Sequence, residues 1–322
     1  MNLYPLKFNP ILKERLWGGT KLKDVLDKPI ENDITGESWE LSAVKGDVSV
    51  VANGDLSGAS LQDLINKYPE ALLGKSVYAR FGTEFPILIK FIDAKQDLSI
   101  QLHPNDELAK KRHNSFGKTE MWYIMDADKG AELIVGFNKD VTKEEYAKSI
   151  EEDTLLDLLN YESVKEGDTF FINTGKMHAI GAGVLLAEIQ QTSDITYRVF
   201  DFNRRDKNGN LRELHTDLAL DAIDYTKKDD FKVTYSDKKD SVNNMVSCPY
   251  FNTNILELTK DLELDVEKRD SFTIYMCVGG KATISNEFGS VSIKKGETTL
   301  VPAQSKKINI ITTSAKLLEV TI

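Results

Sequence analysis

The stretch "SIQLHPNDELAKKRHNSFGKTEMWYI" (99–124) sets Gln101 and His103 two positions apart and brings back Glu120 after a polar, basic run. On a strand, residues at i and i+2 share one face. An amide oxygen and an imidazole then point the same way, and both can hold a metal. Lys118 stands in the same relation to Glu120, so a cation accompanies the carboxylate on its face. Further on, "GKMHAIGAGVLLAEIQ" (175–190) supplies His178 and Glu188, and "TYRVFDF" (196–202) supplies Arg198. The other two histidines, His113 and His215, lie in polar contexts and read as solvated side chains.

These residues must be positioned by strands. Short apolar or alternating runs bounded by turn residues recur at 85–94, 98–104, 120–125, 131–137, 168–173, 183–190 and 196–202, then at 272–278, 281–286, 289–294 and 298–303. Helical patterns are fewer: 60–74, broken at Pro69; 142–160, opened by the capping box Thr142–Glu145; and 216–225. A charged stretch at 226–244 separates the strand-rich regions. We therefore expect a mainly β protein of two domains, 1–239 and 240–322, with the helical segments in the first.

Composition narrows the function. The chain has 322 residues and a net charge of −10, which argues against a nucleic-acid binder. No apolar run approaches the roughly 20 residues of a membrane helix. The beginning "MNLYPLKFNPILKERLWGG" lacks the order of a secretory signal. Two cysteines, Cys248 and Cys277, do not make a disulfide framework. A cytoplasmic protein is expected.

A repeat points to the architecture. Gly167 is followed by Asn173, Gly175 and His178; Gly296 is followed at the same offsets by Pro302, Gln304 and Lys307. Both copies resemble the second motif of the cupin family, whose histidine is a metal ligand. The resemblance implies two cupin-like jelly-roll barrels, with a helical insertion in the first. A lysine ammonium offers no lone pair, so the second copy is expected to have lost its metal. Gln101, His103, Glu120 and His178 would give the first barrel two nitrogen and two oxygen donors. Zinc suits that set; ferrous iron and manganese accept a similar one.

Together, "SIQLHPND", "GKTEMWYI", "GKMHAIGAGVLLAEIQQTSDITYRVFDFNR" and "GESWELS" resemble type I mannose-6-phosphate isomerases (phosphomannose isomerases) of the shorter bacterial branch. The likeness covers most of residues 4–225 and is weaker beyond. It implies one Zn2+ per chain on Gln101, His103, Glu120 and His178, and aldose–ketose isomerisation of a small sugar phosphate through a cis-enediol. It places the active-site arginine on Arg198 and pocket-lining positions on Lys118, Lys90, Ser99 and Glu188. Arg198 is too strongly cationic to be a base and suits an oxyanion or phosphate. Lys90 and Glu188 sit in apolar runs, where a charge needs a partner, and Glu188 is a candidate proton-transfer base. In "GESWELS" (36–42), Trp39 reads as a core anchor, with Glu37 and Glu40 available to orient other groups. Two other readings stand beside this one: another metallocupin acting on a sugar phosphate, and a non-catalytic sugar-binding cupin. The pattern assigns no oligomeric state.

Overall fold

The computed structural model describes residues 2–206, 208–229 and 231–322. Its first half carries strands β1 (Ile11–Gly19), β2 (Thr35–Leu41), β3 (Ala43–Val44), β4 (Asp47–Val48), β5 (Ile87–Ala94), β6 (Ile100–Leu102), β7 (Glu120–Ala127), β8 (Glu132–Phe137), β9 (Leu159–Ser163), β10 (Thr169–Ile172), β11 (His178–Ile180), β12 (Val184–Gln191) and β13 (Tyr197–Phe200). Helices α1 (Lys21–Asp24), α2 (Leu61–Lys67), α3 (Pro69–Leu73), α4 (Lys75–Phe81), α5 (Asp106–His113), α6 (Lys143–Glu151) and α7 (Thr216–Ala219) interrupt them. Beyond the charged stretch come β14 (Asn243–Ser247), β15 (Asn252–Leu258), β16 (Leu262–Asp265), β17 (Thr273–Asn286), β18 (Gly289–Lys294), β19 (Thr298–Val301) and β20 (Lys307–Thr321).

In the first half a six-stranded sheet, β1-β2-β5-β12-β7-β10, faces a five-stranded one, β13-β6-β11-β8-β9. The described strand pairs are antiparallel, and the two sheets pack as a jelly roll without closing into a continuous hydrogen-bonded cylinder. Their inner faces meet through Ile92, Trp122, Ile124 and Leu186 on one side and Leu133, Val135 and Ile180 on the other. The six-stranded sheet is buried on both faces. Ile87, Ile89, Phe91, Met121, Tyr123 and Leu185 turn outward to a cluster that includes Phe272, Ile274, Leu300 and Val320 of the second half. That is why β5 and β12 read as largely apolar runs: each alternates between two buried faces rather than between core and water.

The cupin repeat is visible in the backbone. Gly167 and Gly296 both have positive φ, at 90° and 86°. Each opens a four-residue strand two positions later, β10 or β19, and a second strand at the eleventh position, β11 or β20. His178 starts β11 buried. Lys307 starts β20 on the surface, paired with Glu263 at 2.9 Å.

Several elements differ from the expected bounds. The helix at 142–160 keeps its capping box, in which Thr142 and Glu145 bond reciprocally, but ends at Glu151. Asp153 takes φ 55°, which stops the helix, and the apolar run after it forms a 3-10 turn and then β9. The helix at 60–74 is broken at Pro69 as expected, with Pro69 beginning α3. The one at 216–225 is a single turn. Residues 272–278 and 281–286 form one bent strand, β17, with a bulge between Cys277 and Gly279. Gly280 is required there, since a Cβ would lie 2.1 Å from the Ser314 carbonyl oxygen. The polar run after His103 has little apolar period yet forms α5, because the Asn105 side chain caps the Leu108 N–H at 2.9 Å.

Helices α2–α4 join the halves. Asp270 accepts from the Lys75 and Ser76 N–H groups at 2.6 and 2.9 Å, and Phe85 stacks on Phe272 with ring centroids 5.0 Å apart. Among the described residues, no helix is long and apolar enough to cross a membrane.

Candidate metal centre

Two rows of cross-strand neighbours build the site. Across the six-stranded sheet, Trp39, Lys90, Glu188 and Trp122 are consecutive register partners on β2, β5, β12 and β7. Across the facing sheet, Arg198, Gln101, His178 and Val135 are register partners on β13, β6, β11 and β8. Glu120 lies beside Gln190, two positions along β7 from Trp122 and on the same face. His103 follows β6 just after its last paired residue and keeps the Gln101 side.

Gln101, His103, Glu120 and His178 converge. One ligand atom from each of His103, Glu120 and His178 lies within 4.8 Å of the others. The Nε2 atoms of His103 and His178 stand 3.6 and 3.5 Å from the Glu120 oxygens, and the Gln101 amide reaches to 3.5 Å from His178 Nε2. The Nδ1 of His103 meets the Ile195 carbonyl oxygen at 2.9 Å, and the Nδ1 of His178 meets that of Lys176 at 2.8 Å. A carbonyl only accepts, so each Nδ1 carries the proton and each Nε2 aims a bare lone pair inward. His103 Nε2 and Glu120 Oε1 are buried with no hydrogen-bond partner, and Glu120 Oε2 has only the Lys118 ammonium, 3.0 Å away, which makes no aligned hydrogen bond to it. Such orphaned acceptors are costly unless a cation serves them, and the donor set fits one.

The electrostatics agree. Burial holds the His103 imidazole well below its ordinary range, and Lys118 and His178 depress it further. Burial likewise brings His178 down to about 3. Both are neutral, as ligands must be. Burial pushes Glu120 up to about 7, against the pull of Lys118, whose ammonium lies 3.0 Å away.

A cavity of about 420 Å³ opens beside this cluster. Gln101, His178, Lys118, Lys90, Glu188, Ser99 and Arg198 line it, so the structure gathers these sequence-predicted residues around one space. Glu188 is ion-paired with Lys90 at 3.0 Å and accepts from Trp122 Nε1 at 2.9 Å. Burial raises its pKa, but Lys90 and Lys118 outweigh that and hold it below the usual carboxylate range. Lys118 is disfavoured as an ammonium by burial, yet Glu120 and Glu188 more than restore it. Arg198 donates from Nε to Ser99 Oγ at 3.3 Å and from Nη1 to the Glu213 carbonyl at 2.9 Å.

Trp39 is buried, as a core residue would be, but it also lines the cavity and donates to Glu37 at 2.6 Å. Burial works against the Glu37 anion, while Lys90, Arg15 and the bond from Trp39 bring its pKa down to about 2. Glu40 faces the other way and pairs with Lys28 at 2.6 Å. His113 is exposed and contacts the Tyr197 hydroxyl at 2.9 Å. His215 is less solvated than expected: its Nδ1 accepts from the Arg198 N–H at 3.1 Å. Sequence reasoning missed Arg15, Trp17, Asp194, Thr196 and Arg212, which also line the cavity. Arg15 and Trp17 had a faint signal, since their strand β1 pairs with β2; Asp194, Thr196 and Arg212 come from loops without period.

Comparison with known proteins agrees with this geometry. Residues 5–149 match the family described as phosphomannose isomerase type I, catalytic domain, and residues 241–321 match the mannose-6-phosphate isomerase cupin domain. The chain is 38% identical to a mannose-6-phosphate isomerase of Bacillus subtilis, over 94% of each sequence. It is 32% identical to the mannose-6-phosphate isomerase of Streptococcus mutans, over 92% of each. A crystal structure of the mannose 6-phosphate isomerase from Bacillus subtilis superposes with a TM-score of 0.89 at 32% identity, covering 99% of this chain and 100% of that one. With likeness extending over nearly the whole length of both sequence and fold, the chain belongs to the type I phosphomannose isomerase family of enzymes.

Proposed function

We propose that this chain interconverts mannose 6-phosphate and fructose 6-phosphate as a zinc enzyme, with one ion held by Gln101, His103, Glu120 and His178. The observation that carries the reading is the convergence of buried acceptors, two imidazole Nε2 atoms and one carboxylate, beside a polar cavity, with His103 Nε2 accepting no hydrogen bond. Nitrogen and oxygen donors of this kind suit zinc. When bound, the ion supplies Lewis acidity to the C1 and C2 oxygens of the sugar.

The chain's own groups then handle the proton. Aldose-to-ketose conversion takes the hydrogen from C2 and delivers it to C1 on the same face of a cis-enediol, while a second proton passes between the two oxygens. Glu188 is the base in this scheme: Lys90 and Trp122 fix it and keep it ionised, and its Oε1 accepts no aligned hydrogen bond. Lys118 remains an ammonium beside Glu120 and stabilises negative charge on the sugar oxygens. Among the described residues, no carboxylate lies within ion-pair distance of Arg198, so Arg198 is available to an anionic substrate. Residues 1–239 form the catalytic domain in this reading, and 240–322 back its main sheet. The unpaired Cys248 and Cys277 suit the cytoplasm.

The test is a coupled assay for fructose 6-phosphate formation from mannose 6-phosphate, with metal analysis of the same sample. Activity abolished by chelation and restored by zinc supports the proposal. An inactive zinc-loaded protein would favour a sugar-binding module instead.

A further inference from the structure

Arg212 enters the cavity from the segment after β13, and the structure spends several interactions on holding it there. Its Nε and Nη2 donate to the two oxygens of Asp201 at 2.6 and 2.7 Å, a bidentate fork that fixes the guanidinium plane. Asp201 is only 5% exposed. Arg204 binds the same carboxylate, its Nε at 3.1 Å, and also donates to the Asp97 carbonyl. For Arg204 to reach back, the chain turns through Phe202 and Asn203, both with φ 54°. That left-handed conformation is unfavourable for a bulky side chain and recurs where geometry serves function.

Charge balance says what this arrangement is for. Elsewhere in the cavity each cation has a carboxylate of its own: Arg15 with Glu37, Lys90 with Glu188, Lys118 with Glu120. At this end Arg198, Arg204 and Arg212 stand near the carboxylates of Asp201 and Asp194, while the Glu213 side chain is 84% exposed and screened by solvent. An excess of one positive charge remains, which suits an anionic group such as a phosphate monoester. Among the described residues, no hydrogen bond is made by Arg198 Nη2 or Arg212 Nη1.

We propose that Arg212, positioned by Asp201, is the second arm of a phosphate subsite whose first arm is Arg198. This pair makes the enzyme discriminate 6-phosphorylated from unphosphorylated hexoses. The inference rests on the function proposed above and adds to it a specificity residue and a positioning residue.

The test uses the zinc-loaded full chain with mannose 6-phosphate as substrate and inorganic phosphate as a competing probe. Arg212→Gln is expected to raise KM about 10- to 100-fold, with a smaller effect on kcat, because a group remote from C1 and C2 binds ground and transition states alike. The inhibition constant for phosphate should weaken in parallel. Asp201→Asn should shift both in the same direction, and Arg212→Lys should recover part of the loss. Unchanged KM and phosphate inhibition in Arg212→Gln would overturn the proposal. So would a fall in kcat alone. Should Arg212→Gln fail to fold by circular dichroism, Arg212→Lys decides by the same two constants. If wild-type protein isomerises no sugar phosphate, the proposed function fails; calorimetric titration of wild type and variant with phosphate then tests the subsite separately, and equal affinities sink it.

Discussion

Glu120 offers a measurement in which two effects of one side chain run in opposite directions. Burial raises its pKa from 4.5 to about 7 in the metal-free protein, and at about 1.4 kcal/mol per pH unit this corresponds to about 3 kcal/mol. An acid with a raised folded pKa binds its proton more tightly folded than unfolded. Stability from this group is therefore present below pH 4.5 and lost as pH rises through about 7. His103 and His178 act oppositely: their lowered pKa values cost stability as pH falls below about 6.5. Comparing wild type with Glu120→Gln cancels the histidines. Urea unfolding of chelator-treated protein between pH 5 and 8 should show the variant gaining about 3 kcal/mol relative to wild type across that range. Zinc at about 1,000 times Kd should reverse the order, because it stabilises wild type by about 4.1 kcal/mol and the variant has lost the one anionic donor. A stability difference that stays flat with pH, or a variant that binds zinc as tightly as wild type, would refute the reasoning.

Three further outcomes are expected. Glu188→Gln should lower kcat about 10²- to 10⁴-fold with zinc content unchanged; near-wild-type turnover would remove Glu188 as the base. Phe272→Ala should cost about 3–5 kcal/mol by urea unfolding, since the ring is fully buried and stacks on Phe85 at the junction of the two halves; a loss below 1 kcal/mol would show that the halves are joined elsewhere. Glu319→Ala removes a fully buried carboxylate bonded to Arg269, Tyr275 and Asn254, and should also cost about 3–5 kcal/mol, with kcat retained in the protein that remains folded.

Much of the centre was legible because strand geometry is local. Gln101 with His103, and Lys118 with Glu120, are i and i+2 pairs, and a period of two puts each pair on one face whatever surrounds it. The glycine offsets of the repeat mark two equivalent turns because positive φ is needed at Gly167 and Gly296. Helix bounds were less legible. The run at 154–160 suits helix and strand alike, and only pairing with β8 made its last part β9.

Register and loop geometry belonged to the tertiary structure. No spacing in the sequence says that Lys90 lies across from Glu188 and Trp122 next to it, or that Arg198, Gln101 and His178 share one row, since these partners are tens of residues apart. Nor does it say that Trp39 meets the cavity or that Asp201 turns Arg212 into it. Residue types and local alternation determined which side chains were able to act. Long-range pairing of sheets decided which ones meet, because a contact between distant segments exists only once the chain has closed the loop between them.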